Sequence, residues 1–307
     1  MLTYFIIVLD DTSVSYCHFD VKQTERRLIP LDTLRRSIVW AMKENLNIQF
    51  VYPHYRLPEE YREVIETIDH TKIGPVECGE KLNVIVTDDL ASSGEDKTYI
   101  WRCSLADLEH QQETVKTSLG KAKRLNVVLT DIAKWQQEEF DCYQHILDSL
   151  ADHIVELYSQ KKAPQMNLLT DRLILNEMNN CGAGDSSVTI APDGRFYICP
   201  AFYPVEDIGS LDKGLSISNP QLLRLDHAPI CRVCDAWQCR RCIWMNGQLT
   251  GDMNTPSHQQ CVVAHIERNA SRRLQQLLDK RGIRIEGWKE IRELDYLDPF
   301  SIATRWK

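Results

Sequence analysis

Seven of the chain's eleven cysteines stand between Cys181 and Cys261: Cys181, Cys199, Cys231, Cys234, Cys239, Cys242 and Cys261. Four of them share one run, CRVCDAWQCRRC. So many thiols in one stretch belong either in disulfides or on metal, and that choice constrains the last third of the fold. Cys231/Cys234 and Cys239/Cys242 each enclose two residues, which closes strained rings more typical of redox pairs than of structural staples. Structural disulfides belong to secreted chains. The N-terminus, MLTYFIIVLDDT, has no basic segment before its apolar run. That run ends at Asp10-Asp11 without a small-residue cleavage site, so no secretory signal is predicted. A cytoplasmic chain with this cysteine pattern is expected to bind metal.

Spacing bears on which metal. Zinc sites commonly pair two C-x2-C knuckles across roughly 12–20 residues, whereas here only Asp235 to Gln238 separate the pairs. Four thiolates this close could wrap one ion, but three cysteines would be left over. Iron–sulfur clusters take all-cysteine ligand sets, with ligands supplied from distant segments. No histidine lies inside the run, although His227 and His258 are near enough in sequence to ligate zinc. Iron–sulfur is the expectation and zinc the alternative.

The rest of the chain reads as a soluble α/β protein. It has 307 residues, 43% hydrophobic and 26% charged, with a formal net charge of −8. The acidic balance argues against nucleic-acid binding, and no window approaches the roughly 20 apolar residues that span a bilayer. Strands are predicted at 3–9, 47–52, 82–87 and 125–130, with a short piece at 99–103. Helices are predicted at 31–44, 57–68, from Ser104 to Leu119, and from Asp131 to about Gln160. Strands alternating with helices imply a parallel sheet, and four or five units are too few to close an eight-stranded barrel.

Cys181-x12-Gly194-x4-Cys199, followed by the quartet and Cys261, resembles the SPASM cysteine pattern at the C-terminus of radical SAM peptide maturases. VTIAPDGRFYICPAF resembles that family's β-hairpin, with Pro192-Asp193-Gly194 as its turn. The family pattern has five and three residues between the last three cysteines of the quartet; this chain has four and two, so its loop must be tighter. The resemblance implies one 4Fe–4S cluster on Cys231, Cys234, Cys239 and Cys261. It implies a second on Cys181, Cys199 and Cys242, whose fourth iron is open or takes a non-cysteine ligand because DRLILNEMNN supplies no further cysteine.

The resemblance also assigns a C-x3-C-x2-C loop after the first strand. The chain reads LDDTSVSYCHFD there, with Cys17 in the third place and Val14 and Asp10 in the other two. One cysteine cannot hold the three irons that leave a fourth for SAM, and FVYPHYRLP replaces the glycine-rich segment that contacts it. SAM binding is therefore not expected. The segment LIPLDTLRRSIVWAMKENLNIQFVYP is similar to the maturases associated with CXXX-repeat peptides. A short cysteine-rich precursor peptide and a partner maturation enzyme are the implied partners.

These readings together predict a degenerate radical-SAM-like α/β partial (β/α) barrel over residues 1–170, a SPASM-like iron–sulfur module over 171–265 and a helical tail over 266–307. Cys17, Cys78, Cys103 and Cys142 read as packed structural thiols. Arg232, Arg240 and Arg241 read as charge balance beside the ligands, or as a docking surface for an acidic leader. Trp288, Tyr296, Phe300 and Trp306 are expected to clamp the tail to the body.

Overall fold

The computed structural model describes residues 2–21 and 23–288. The chain opens with β1 (Tyr4–Val8), α1 (Leu31–Lys43), β2 (Asn47–Val51), α2 (Glu59–Ile65), β3 (His70–Gly74) and β4 (Val84–Thr87). There follow β5 (Thr98–Cys103), α3 (Leu105–His110), α4 (Gln112–Leu119), β6 (Arg124–Leu129), α5 (Gln137–Ser159), β7 (Gln165–Met166) and α6 (Asp171–Ile174). The last third carries β8 (Ser187–Ile190), β9 (Arg195–Tyr197), β10 (Asp207–Ser210), β11 (Gly214–Leu215), α7 (Ile243–Thr250) and α8 (His258–Lys280).

The chain forms two compact units, each drawn from two stretches of sequence. The first takes Met1–Thr87 and Gly182–His227, and the second takes Asp88–Cys181 and the chain from Ala228 onward. In the first unit β8, β1, β2, β3 and β4 run parallel in that order. β9, β10 and β11 continue beyond β8 as an antiparallel meander. β1 sits between two parallel neighbours and is apolar along most of its length, as a strand covered on both faces must be. Phe5 of β1 pairs in register with Ile48 and Val188. Its ring meets Trp40 of α1 at 4.9 Å and Phe196 of β9 at 5.9 Å, an aromatic cluster that ties helix to sheet.

The predicted hairpin is present. β8 and β9 pair antiparallel around Asp193-Gly194, and Gly194 has φ +79°, the left-handed value its turn demands. β3 is an element the sequence pattern did not predict. Its centre is Lys72, a residue that reads as surface. Lys72 is buried because its Nζ bonds Glu66 and Glu80.

The second unit holds a parallel sheet, β5-β6-β7. The helix predicted from Ser104 to Leu119 divides at Gln111 into α3 and α4. Asp131 does not start the long helix. Its carboxylate instead accepts from Leu105 N at 3.2 Å, at the start of α3, and α5 begins at Gln137 with a Gln136/Glu139 capping box. α5 and α8 are the two long helices of this unit and pack together. α5 buries Ile146, Leu147, Leu150 and Ile154, and α8 buries Val263, Ala270, Leu274 and Leu278. Each fully buried Leu or Ile contributes about 1.5–3 kcal/mol. Arg273 to Asp152 and Arg281 to Glu156 add ion pairs along the same seam. Trp288 lines a small pocket together with Leu173, Leu278 and Ile285, and its backbone N–H donates to Ile285 O at 3.0 Å. Tyr296, Phe300 and Trp306 lie outside the described residues.

No helix among the described residues is long and apolar enough to cross a membrane.

Candidate metal centre

All eleven cysteines are free thiols. Of the seven singled out by sequence, Cys199 lies in the first unit, where it follows β9 and opens the short turn Pro200–Phe202. The other six lie in the second unit.

The quartet is held in an irregular loop. Cys231 opens a one-turn 3-10 helix, and Cys242 N-caps α7 through its sulfur, which accepts from Met245 N at 3.5 Å. Ala236 N donates to Cys234 Sγ at 3.4 Å, and the Arg241 backbone N–H donates to Cys239. Three sulfurs of the run thus receive a main-chain donor from two or three residues downstream. Such donors stabilise a thiolate over a thiol and prepare a sulfur to ligate. Cys231, Cys234 and Cys239 also stand close enough to act on one another's charge.

As bare thiols the group is poorly solvated. Burial pushes Cys239 up to about 12 and Cys231 up to about 11, and neighbouring cysteines add to both. Burial pushes Cys242 up to about 11 as well, with Cys181 as the neighbour. Ionising these sulfurs together requires a cation among them, and a soft metal is the cation that thiolates select. The donor type suits a soft metal, but the side chains are not gathered around one site. Among the described residues, no three Cys, His, Asp or Glu side chains converge on a point that would hold one metal ion.

The loop's tightness is concentrated at Arg241, whose φ is +24°. A long side chain in this region costs about 1–3 kcal/mol and persists only where its surroundings over-determine it. They do so here. Arg241 is buried, and its guanidinium donates to Asn180 Oδ1 at 2.9 Å and Asn254 Oδ1 at 2.7 Å. This removes Arg241 from any docking surface, whereas Arg232 and Arg240 remain exposed. Asn179 N also donates to Trp237 O at 2.7 Å, so the segment leading to Cys181 is pinned to the quartet loop.

A second clamp centres on Asp235, inside the quartet. Its carboxylate takes Arg268 Nη1 at 3.0 Å, and its carbonyl takes Arg172 Nε at 3.0 Å. Gln238, beside Cys239, donates to Ala264 O at 2.7 Å and to Glu267 Oε2 at 3.3 Å. α8 is thereby stapled to the loop. Its Ser257/Gln260 capping box fixes where the helix starts, and hence where Cys261 falls in its first turn.

One residue escaped the sequence reading. The cysteine pattern gives His265 no role, yet its Nε2 lies 3.7 Å from Cys234 Sγ. The available signal was its distance of four residues from Cys261, which places both on one helix face. His258 stacks edge-on against Phe140 at 6.4 Å.

The loop after β1 is built differently. Asp10, in the first cysteine place of the resemblance, is wholly buried. Its Oδ1 accepts from Thr12 N at 2.8 Å and Thr12 Oγ1 at 2.5 Å, and its Oδ2 accepts from Tyr55 at 2.8 Å. Val14, in the second place, is buried. Tyr203 donates to Asp11 at 2.6 Å, and Arg27 pairs with the same carboxylate at 3.0 Å. These residues brace the loop and leave Cys17 as its one thiol, a set that does not fit a three-thiolate cluster.

No protein-family model matches the chain. No curated protein matches it in sequence. The solved structures are more informative. Native anSMEcpe with bound AdoMet superposes over 91% of this chain and 100% of its own length, with a TM-score of 0.58 at 10% identity. The same protein with bound AdoMet and Cp18Cys peptide gives 0.59 at 11% identity, over 91% and 100% of the two chains. Streptococcus suis SuiB bound to precursor peptide SuiA covers 72% of this chain and 64% of its own, at 10% identity and a TM-score of 0.38, too low to weigh.

The chain shares the α/β fold of anSMEcpe. At one identical residue in ten, the likeness speaks to fold alone. The AdoMet in these neighbours is at odds with the expectation, drawn from the lone Cys17, that SAM is not held.

Proposed function

We propose that this chain binds a cysteine-containing, ribosomally made precursor peptide and serves its maturation, alongside a partner enzyme, through an iron–sulfur centre in its cysteine-rich segment. The observation that carries the reading is the set of main-chain donors aimed at Cys234, Cys239 and Cys242, within a group of thiols that burial makes costly to ionise alone. The peptide half is supported by the fold, which is shared with a protein crystallised with AdoMet and Cp18Cys peptide.

Cys231, Cys234, Cys239 and Cys261 would hold one 4Fe–4S cluster. Of the second implied set, Cys181 and Cys242 would supply ligands within the second unit. Bound there, a cluster supplies electron transfer or an open iron for a substrate thiolate. The chain's own part is to keep the sulfurs deprotonated and in place. Asp235, Arg268 and Gln238 hold the loop on α8, and Arg241 fixes the short Cys239–Cys242 link. The exposed Arg232 and Arg240 are the cations available to an acidic leader. Because the residues after β1 do not fit a SAM-anchoring cluster, no step is assigned to SAM.

A second reading, a zinc-stabilised peptide-recognition protein without redox chemistry, is favoured by one observation. Zinc takes sulfur and imidazole together, and Cys234 and His265 lie side by side. Protein purified without oxygen decides between them. Bound iron and sulfide in equal amounts, with binding of a cysteine-repeat peptide that weakens when its cysteines are changed to serine, supports the first reading. Colourless protein with stoichiometric zinc supports the second. Protein that binds no metal ends both.

A further inference from the structure

The meander of the first unit ends on an open edge. β11 pairs with β10 on one side, and among the described residues no strand lies on the other. The register sets Ser210 opposite Gly214 and Gly209 opposite Leu215, and Ser216 N donates to Ile208 O at 2.7 Å. Hydrogen-bonded and open pairs alternate along an antiparallel ladder. Gly214 and Ser216 therefore spend their main-chain groups on β10, and the N–H and C=O of Leu215 point away from it. Sheet edges are commonly blunted by lysine or proline, yet Gly214 to Ile217 contain neither.

A groove of about 460 Å³ adjoins this edge, within the size range of ligand sites. Leu2, Leu215, Ile217 and Pro220 line it, with Asp185 and Arg224 as its charged residues. All lie in the first unit. One wall is fixed by main-chain bonds: Asp185 N donates to Gly182 O at 3.1 Å, and Thr3 N donates to Ser186 O at 2.8 Å. Arg224 is paired with Asp226 at 3.1 Å, whereas no cation pairs with Asp185 among the described residues. The groove thus suits one positive charge beside an apolar side chain.

We propose that this edge docks an extended peptide segment. The segment adds a strand beside β11, sets an apolar side chain in the groove and, two residues along, sets a lysine or arginine against Asp185. The proposal deepens the reading of the chain as a peptide-binding protein and rests on it. Main-chain pairing supplies affinity and the groove supplies selectivity, because residues two apart in a strand share a face. A second copy of this chain fits less well. β11 is two residues long, a small part of the roughly 1,200–2,000 Å² that stable association buries.

The test measures binding of a short, blocked, fluorescent peptide to the full chain. The peptide carries valine and lysine two residues apart, with a cysteine between them. Only every second amide of an added strand faces β11. N-methylation of one alternate set of peptide amides should therefore weaken binding about tenfold, and methylation of the other set should leave it unchanged. Ile217→Pro, which removes an N–H from the edge and none from the β10 ladder, should weaken binding about tenfold. Asp185→Asn should weaken it about threefold and flatten its salt dependence. Equal effects from the two methylated sets overturn the proposal, whether or not the protein variants fold. Unchanged binding by both variants, with the fold checked by circular dichroism, overturns the edge site and leaves the peptide-binding reading in place. Equal binding of the same peptide with serine for cysteine removes the cysteine preference from that reading and leaves the edge site standing. A wild-type dimer that Ile217→Pro dissociates gives the edge to a second copy and overturns the proposal. No binding by the wild type overturns the proposal and the peptide-binding reading together.

Discussion

Arg241 donates to Asn254 Oδ1 at 2.7 Å while its own backbone stands at φ +24°. The side chain's hydrogen bonds hold the backbone where an unbonded residue would not stay. Two effects of opposite sign can therefore be separated by substitution. Arg241→Ala removes the bonds and keeps the strain, and should cost about 2–4 kcal/mol. Arg241→Gly loses the same bonds but relieves the backbone, and should be milder by about 1 kcal/mol. Urea unfolding of the two variants checks the order. Equal losses would mean that φ at this position carries no strain.

Cys234→Ser should lose bound metal and much of the folded stability together, because metal and fold are linked when the ligands come from separate segments. Cys78→Ala is the control. Cys78 is buried in the first unit, and its loss should cost about 1 kcal/mol through packing while metal content stays full. Metal analysis beside a thermal melt reads both. Full metal in the Cys234 variant would remove Cys234 from the ligand set.

Glu267 gives the second unit a pH dependence. Burial raises its carboxyl to about 7, against the lowering effect of Tyr143 and Gln238. The folded protein holds this proton more tightly than the unfolded chain does. The stabilisation is therefore complete below about pH 4.5 and is lost as pH rises through about 7, roughly 3 kcal/mol in all. Glu267→Gln, which keeps the shape and stays neutral, should lack this part. Urea unfolding of both proteins at pH 5 and pH 8 measures it as the difference between their two pH dependences. A variant that loses as much stability as the wild type would refute the assignment.

Cys17→Ala should leave iron and sulfide unchanged, since the braced loop after β1 offers no second or third thiol. Loss of one cluster's worth of iron in this variant would place a cluster in that loop and reopen SAM chemistry. The measurement is iron per chain in anaerobic preparations.

The sequence alone determined the local elements whose signal lies within a few residues. The continuous apolar run of β1 and the Asp193-Gly194 turn of the hairpin are legible because strand and turn are governed by near neighbours. It also exposed the short Cys239–Cys242 link, and the strain at Arg241 is where that shortness falls. Tertiary structure decided the rest. β8 reads as half of a local hairpin, but it also pairs in parallel with β1, about 180 residues earlier. β3 pairs with β2 and β4, and its buried Lys72 finds its partners, Glu66 and Glu80, only in the folded chain. Arg241 meets Asn254, and His265 comes within 3.7 Å of Cys234, only because folding packs these segments together. A charged or titratable side chain takes its meaning from what folding brings beside it, and spacing along the chain does not encode that neighbour.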